Sequence, residues 1–219
     1  MKSFSLLFWA STATAHSWLD CIGLDIPFKG PQQYYSEHFY NDYCIGYPRG
    51  YPGRNNRYIN DLFTVLIEGR GRQNPNATAI CGATGIKGYT KKFPVTRVAA
   101  GTRLKLWYEM DNHLNPQTNF HIFGHGKPGK NIAVYNEQKP ETKLFTHPFA
   151  TPENCIDVKM PNTWCWAFWT VPSSWQAGTY SFVWNWPWDM NPIGEEYNTC
   201  FDIQVTTNST KPKCRPRKF

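Results

Sequence analysis

Short apolar segments separated by turn residues are the feature that most constrains the fold of this chain. They recur at residues 62–67, 102–110, 132–135, 164–171, 179–188 and 199–206, and glycine or proline marks several of the breaks between them. No stretch keeps a convincing helical period, whereas short β-type runs with turn signals between them are typical of packed sheets. The pattern predicts an all-β fold built as a two-sheet antiparallel sandwich.

Three predicted strands assign particular side chains to one face. The members of each row are Leu104, Leu106, Tyr108 and Met110 in the first, Phe201, Ile203 and Val205 in the second, and Trp184, Trp186 and Trp188 in the third. Successive side chains of a strand point to opposite faces, so each row shares one face. A tryptophan stripe of this kind is more often part of a core than a binding platform.

Two segments are predicted to be loops. Residues 16–60 are rich in Pro, Gly, Tyr and Asn, and the GYPRGYPGR run at 46–54 suggests consecutive turns with exposed tyrosine rings. Exposed rings can stack on sugars, although aromatic side chains packed beneath a loop are an equal alternative. Residues 112–130 form the second predicted loop and contain His113, His121 and His125.

Residues 1–15 predict a secretory signal peptide. Lys2 precedes a short apolar run at 4–10, and an A-x-A site ends at Ala15. The run is too short to span a bilayer, so we expect a secreted, extracellular, soluble protein with no membrane segment. Cleavage leaves a domain at 16–206, a polar basic tail or linker at 207–219, and His16 at the new N-terminus. The α-amine and Nδ1 of an N-terminal histidine can both bind one metal ion.

The cysteine content fits export. Six cysteines can form three disulfides in any of fifteen pairings: Cys21, Cys44, Cys81, Cys155, Cys165 and Cys200. Cys214 is left over in the tail, and the acceptor sequences at Asn76 and Asn208 are consistent with a glycoprotein.

The formal charge of +7 is concentrated outside the predicted domain. Of the 23 basic residues, one lies in the signal peptide and five in the tail, which leaves 17 basic and 16 acidic residues in between. A nearly neutral body gives no support to nucleic-acid binding. A basic cluster remains within it, and a face built from such residues would favour an anionic polymer. Its members are Arg49, Arg54, Arg57, Arg70, Arg72, Lys87, Lys91 and Lys92.

Common catalytic motifs are missing from the sequence. It has no H-E-x-x-H zinc motif and no G-x-S-x-G nucleophile motif. The glycine-lysine run at 124–130 is followed by Asn131, where a phosphate-binding loop needs Ser or Thr. Three histidines close together in one loop, in a chain whose mature form begins with histidine, favour a metal site.

Three segments resemble the lytic polysaccharide monooxygenases, secreted copper enzymes that cleave polysaccharides oxidatively. They are HSWLDC at 16–21, GHGKPGKNIAVY at 124–135 and FVWNWPWDMNPIGEEYNTCFDIQV at 182–205. The resemblance implies an immunoglobulin/fibronectin III-like sandwich with long loops and one copper ion held by His16, His125 and Tyr197. Glu195 stands where many relatives have Gln and would act beside Tyr197. Because the second histidine motif is imperfect, His121 or His113 could replace His125.

The resemblance also implies partners. These are a polysaccharide substrate, an external electron donor, and oxygen or hydrogen peroxide; the enzyme is expected to be a monomer. The basic cluster favours pectin homogalacturonan over cellulose, chitin or xylan. Two alternatives stay open: a non-catalytic copper-binding protein on the same scaffold, and a metal-free carbohydrate-binding module.

Overall fold

The computed structural model describes residues 17–25, 43–53, 64–67, 79–81, 88–111, 118–160, 162–188 and 195–207. Their strands in chain order are β1 Leu19–Leu24, β2 Cys44–Gly46, β3 Thr64–Ile67, β4 Thr96–Ala99, β5 Arg103–Asp111, β6 Asn119–Phe123, β7 Lys143–Pro148, β8 Asn162–Thr170, β9 Gly178–Trp188 and β10 Glu195–Thr206. Two sheets contain all ten, which confirms the all-β prediction. In the described ranges, no helix has the length and hydropathy needed to cross a membrane.

The smaller sheet has the order β2-β1-β5-β8 and is antiparallel throughout. The larger sheet has the order β3-β10-β9-β6-β7, and β4 also pairs with β10. Since β9 follows one edge of β10 along nearly its whole length, β3 and β4 must share the other edge. The pairing of β4 with β10 is parallel, which is the one departure from the predicted antiparallel arrangement among the pairs described.

The interior between the sheets is formed by the rows that the sequence assigns to single faces. Leu104, Leu106 and Tyr108 of β5 are completely buried there. Phe201, Ile203 and Val205 of β10 lie opposite them in the same cluster, together with Trp184 and Trp186 of β9. The prediction of a tryptophan stripe in the core is therefore confirmed for Trp184 and Trp186, while Trp188 is partly buried against the same cluster. Full burial of a side chain the size of Phe contributes about 1.5–3 kcal/mol to folding.

Three disulfides use all six of the predicted cysteines. Cys21–Cys44 joins β1 to β2, Cys81–Cys200 fastens residues 79–81 to β10, and Cys155–Cys165 fastens the segment before β8 to β8 itself. Cys214 lies outside the described residues.

Several sequence predictions are wrong in detail. Strands β1 and β2 lie inside the predicted loop region, and β6 crosses the predicted histidine loop. Residues 132–135 are not a strand: Val134 makes a single bridge to Ala79, and a 3-10 helix follows at Tyr135–Glu137. The apolar residue Ile132, which contributed to the strand prediction, is instead buried against the outer face of the larger sheet.

The tyrosines of the GYP repeat are not exposed rings. Tyr47 and Tyr51 are each only 5% exposed, and their rings stack on one another with centroids 5.1 Å apart. They pack with Trp107 and Trp164 against the outer face of the smaller sheet. The alternative of aromatic side chains packed beneath a loop is therefore the one observed.

Candidate functional site

Tyr197 and Glu195 form a pair at the start of β10. The phenol of Tyr197 is buried, with 1% of the residue exposed, and its hydroxyl donates a hydrogen bond to Oε2 of Glu195. The two residues are two positions apart on one strand, so their side chains leave the same face of the sheet. Of the predicted site residues, these are the two that the structure brings into direct contact.

Trp186 supports Tyr197 from the neighbouring strand. The two residues are register partners in the β9–β10 ladder, and their rings stack with centroids 5.5 Å apart. The Trp186 indole is also parallel to the Phe149 ring, with centroids 3.7 Å apart, and its Nε1 donates to Oγ1 of Thr118. These two ring contacts and the satisfied N–H hold the indole in place against the phenol.

The start of the domain lies at the same end of the sandwich. Ser17 donates a hydrogen bond from Oγ to the carbonyl of Glu109 at 2.7 Å, and Leu19 is the register partner of Tyr108. Residue 17 therefore sits beside the last residues of β5. Strand β5 ends at Asp111, and the chain is described again at Thr118, which is bonded to Trp186. The beginning of β1, the end of β5 and the Tyr197 pair thus share one end of the fold.

His125 lies elsewhere. It follows β6, whose last pairing is Phe123 with Val183, whereas Tyr197 pairs with Trp186. Three residues of strand separate these levels by about 10 Å, and His125 continues beyond the farther one. Its Nε2 is 3.8 Å from Oε1 of Glu137. The structure does not bring His125 to Tyr197.

His121 is on the opposite face of the larger sheet from Tyr197. Its register partner is Asn185, which in turn pairs with Asn198, and Asn198 follows Tyr197 directly, so it points the other way. The imidazole Nδ1 is 3.0 Å from Oγ1 of Thr146. Burial, with a smaller contribution from Lys143, lowers the pKa of His121 to about 4.

The two remaining candidates in the sequence, His16 and His113, lie outside the described residues. Within the described ranges, no group of three or more His, Cys, Asp or Glu side chains is arranged to hold a metal ion.

A polar network on the outer face of β10 was missed by the sequence reasoning. Glu196 is buried and accepts hydrogen bonds from the Tyr135 hydroxyl at 2.7 Å and from Nδ2 of Asn185 at 3.0 Å. Asn198 accepts from the same amide and from Gln138. The sequence does contain a sign of this network, because polar residues alternate with the apolar row on β10. These polar residues are buried because the outer face of the strand is covered as well as its inner face.

The arrangement belongs to a broad class: a disulfide-linked β-sandwich with a buried tyrosine–carboxylate pair at the end where its first strand begins. No protein-family model matches the chain, and no curated protein matches it. Among solved structures, the chain is similar to an AA10 lytic polysaccharide monooxygenase from Streptomyces lividans, at 20% identity with a TM-score of 0.38. The match covers 55% of this chain and 62% of that chain. A likeness this slight carries no argument about activity.

Proposed function

We propose that this chain is a secreted, copper-dependent monooxygenase that cleaves a polysaccharide oxidatively. One observation supports the proposal above the others: Ser17, the end of β5 and the Tyr197–Glu195 pair lie at one end of the sandwich. His16 is bonded to Ser17, so signal cleavage after Ala15 would free its α-amine at this end. Export is supported by the three disulfides, which persist in oxidising compartments.

The donor chemistry of the residues fits copper. We propose that the α-amine and Nδ1 of His16 and one ring nitrogen of a second histidine hold the ion, with the Tyr197 hydroxyl as a weak or distant partner. Nitrogen-rich sites of this kind suit Cu(II), which also leads the affinity order of divalent metals. When bound, copper would supply the one-electron chemistry that activates oxygen or hydrogen peroxide, with electrons from an external donor.

The second histidine is better assigned to His113 than to His125 or His121. His113 is two residues beyond Asp111, where β5 ends, and five residues before Thr118. By contrast, His125 lies beyond the far end of β6 and His121 leaves the opposite face of the sheet. The separation of both from Tyr197 supports the assignment.

Tyr197 and Glu195 would have positioning roles. The Glu195 carboxylate accepts the phenol hydrogen bond and so fixes the orientation of the hydroxyl, while Trp186 and Phe149 keep water from the ring. A carboxylate at this position, in place of the amide of many relatives, adds negative charge next to the phenol. This charge would therefore change the electrostatic environment of the metal ion and its ligands.

For the substrate we propose pectin homogalacturonan over neutral glucans, chitin or xylan. Only part of the basic cluster supports this choice. Lys91 and Lys92 are exposed, but Arg49 is partly buried in an ion pair with Asp202 and does not contribute to an open basic face. The other members of the cluster lie outside the described residues.

The test begins with the secreted, processed protein. Its N-terminal residue is identified by mass spectrometry, copper is titrated, and pectin is incubated with a reductant. We expect His16 at the N-terminus, one copper per chain and oxidised oligosaccharides. Among matched histidine variants, His113→Ala should abolish tight copper binding, whereas His125→Ala and His147→Ala should not. Loss of copper in His125→Ala alone would overturn the ligand assignment, and oxidised products without copper would overturn the function.

Copper uptake without oxidised products from any polysaccharide would favour the non-catalytic copper-binding protein. Polysaccharide binding without any copper uptake would favour the carbohydrate-binding module.

A further inference from the structure

The outer face of the smaller sheet carries a group of aromatic rings and cationic side chains. Trp166 and Phe168 project from the edge strand β8, opposite Trp107 and Lys105 of β5 in the register. Both β8 rings are partly exposed, whereas Trp107 is buried. Two residues of strand place them about 7 Å apart on one face.

A cation lies among these rings. The ammonium Nζ of Lys105 is 4.1 Å from the centroid of Trp107, 4.6 Å from that of Trp166 and 5.4 Å from that of Phe168. In the part of the chain that the structure describes, this ammonium forms no ion pair. Burial lowers the pKa of Lys105 to about 8, which shows that desolvation of its charge is only partly offset; the carboxylate of Asp25 acts in the opposite direction.

A second cation extends the same face. The guanidinium carbon of Arg103 is 4.1 Å from the Phe168 centroid, and its Nη1 is 2.9 Å from Oδ2 of Asp25. The pair is exposed on both sides, so water and ligands compete for it easily. Arg103, Lys105, Trp166 and Phe168 together are called the cation–aromatic face below.

We infer that the cation–aromatic face binds a polysaccharide chain that carries carboxylate groups. Flat rings offer a stacking surface to the apolar face of a sugar, and a uronate carboxylate would complete the charge balance of the Lys105 ammonium. A neutral chain would gain only the stacking. The face lies along the side of the sandwich: Lys105 is six residues, or about 20 Å of strand, from Asp111 and the end where we propose the copper site.

The proposed binding differs from catalysis at the copper site, because it needs neither metal nor reductant. A chain lying along β8 toward Asn162, the register partner of Asp111, would be directed to the end of the sandwich where β1 begins. The inference therefore rests on the proposed function only for its biological use. The binding step can be measured in the copper-free protein.

The test uses the full mature chain, copper-free and labelled with ¹⁵N, and titrates it with oligogalacturonides and with cello-oligosaccharides of equal length. We expect the indole N–H of Trp166 to shift with oligogalacturonides, and much less with the neutral oligomers. Lys105→Met should weaken oligogalacturonide binding at least about fivefold, because the desolvated cation is lost while the stem is retained. Trp166→Ala should weaken it as much or more.

Lys143→Met is the matched control, because the Lys143 ammonium also lies over an aromatic ring, 5.7 Å from the Phe123 centroid, but on the other sheet. It should leave the affinity unchanged. An unperturbed Trp166 indole with every saccharide overturns the inference, whether the face is open or covered by another part of the chain. Equal losses in Lys105→Met and Lys143→Met overturn it too. Failure of copper uptake with intact oligogalacturonide binding refutes the proposed function and leaves this inference standing.

Discussion

Replacement of Arg49 by methionine tests whether this residue is part of the core structure or of a polyanion-binding surface. The Arg49 side chain is 16% exposed and that of its partner Asp202 is 8% exposed. The guanidinium donates to both carboxylate oxygens of Asp202 and to Oγ of Ser181. It thereby fastens the segment after β2 to the outer face of β10.

The expected loss follows from what remains after the substitution. Asp202 keeps the Tyr89 hydroxyl as a donor at 2.9 Å, but its buried negative charge loses its cation. Burial and the neighbouring Asp202 carboxylate raise the pKa of Tyr89, so the hydroxyl stays a neutral hydrogen-bond donor, which cannot replace the positive charge of Arg49. Removal of one partner of a buried ion pair costs about 3–5 kcal/mol, and we expect Arg49→Met to lower the free energy of unfolding by that amount.

The assay is urea unfolding at neutral pH with the disulfides intact. Asp202→Asn added to Arg49→Met should recover at least about 1 kcal/mol, because the unpaired charge is then removed. Arg103→Met is the comparison, since its ion pair with Asp25 is exposed and should be worth less than about 1 kcal/mol. A loss in Arg49→Met no larger than in Arg103→Met would refute the reasoning, as would a folded Arg49→Met protein with weakened pectin binding.

Asn154→Ala should lower the free energy of unfolding by about 1–3 kcal/mol in urea, because the buried amide donates to the Tyr108 hydroxyl and to nearby carbonyls that would lose their partner; an unchanged midpoint would contradict this. His121 favours its neutral form in the folded protein, so stability should be full above about pH 6.5 and fall toward pH 4; His121→Gln should flatten that slope, and identical slopes would contradict it. Tyr197→Phe should fold normally yet reduce copper-dependent activity, and full activity would remove the positioning role of Tyr197. Copper affinity should fall in mildly acidic solution, because the amine and imidazole must lose protons to bind; a pH-independent affinity would exclude them as ligands.

The sequence predicted those strands whose two faces differ in polarity. β5 and β10 alternate between the interior and a second surface, so their inward rows were identified correctly. β1 was missed because its register shifts between Leu19 and Cys21, so its interior residues Leu19 and Ile22 do not follow a period of two. β7 was missed because it is an edge strand and most of its side chains are exposed.

The site was predictable only in part. Tyr197 and Glu195 follow from a local motif and are in contact in the structure. The second histidine is not a local property: which of His113, His121 and His125 approaches Tyr197 depends on the β1–β5 and β6–β9 registers. Likewise Arg49 belonged to a basic cluster in sequence, and only the fold pairs it with Asp202, 153 residues away.

The proposed metal site depends on a free amine on His16. Copper titration of two processed proteins isolates the contribution of that amine: one protein begins at His16, and the other has a single alanine added before it. The added residue moves the amine away from the imidazole and leaves every other group in place. We expect tight binding of one copper ion and oxidative activity in the first protein, and loss of both in the second. Equal copper affinity and activity in the two proteins would rule out the amine as a ligand.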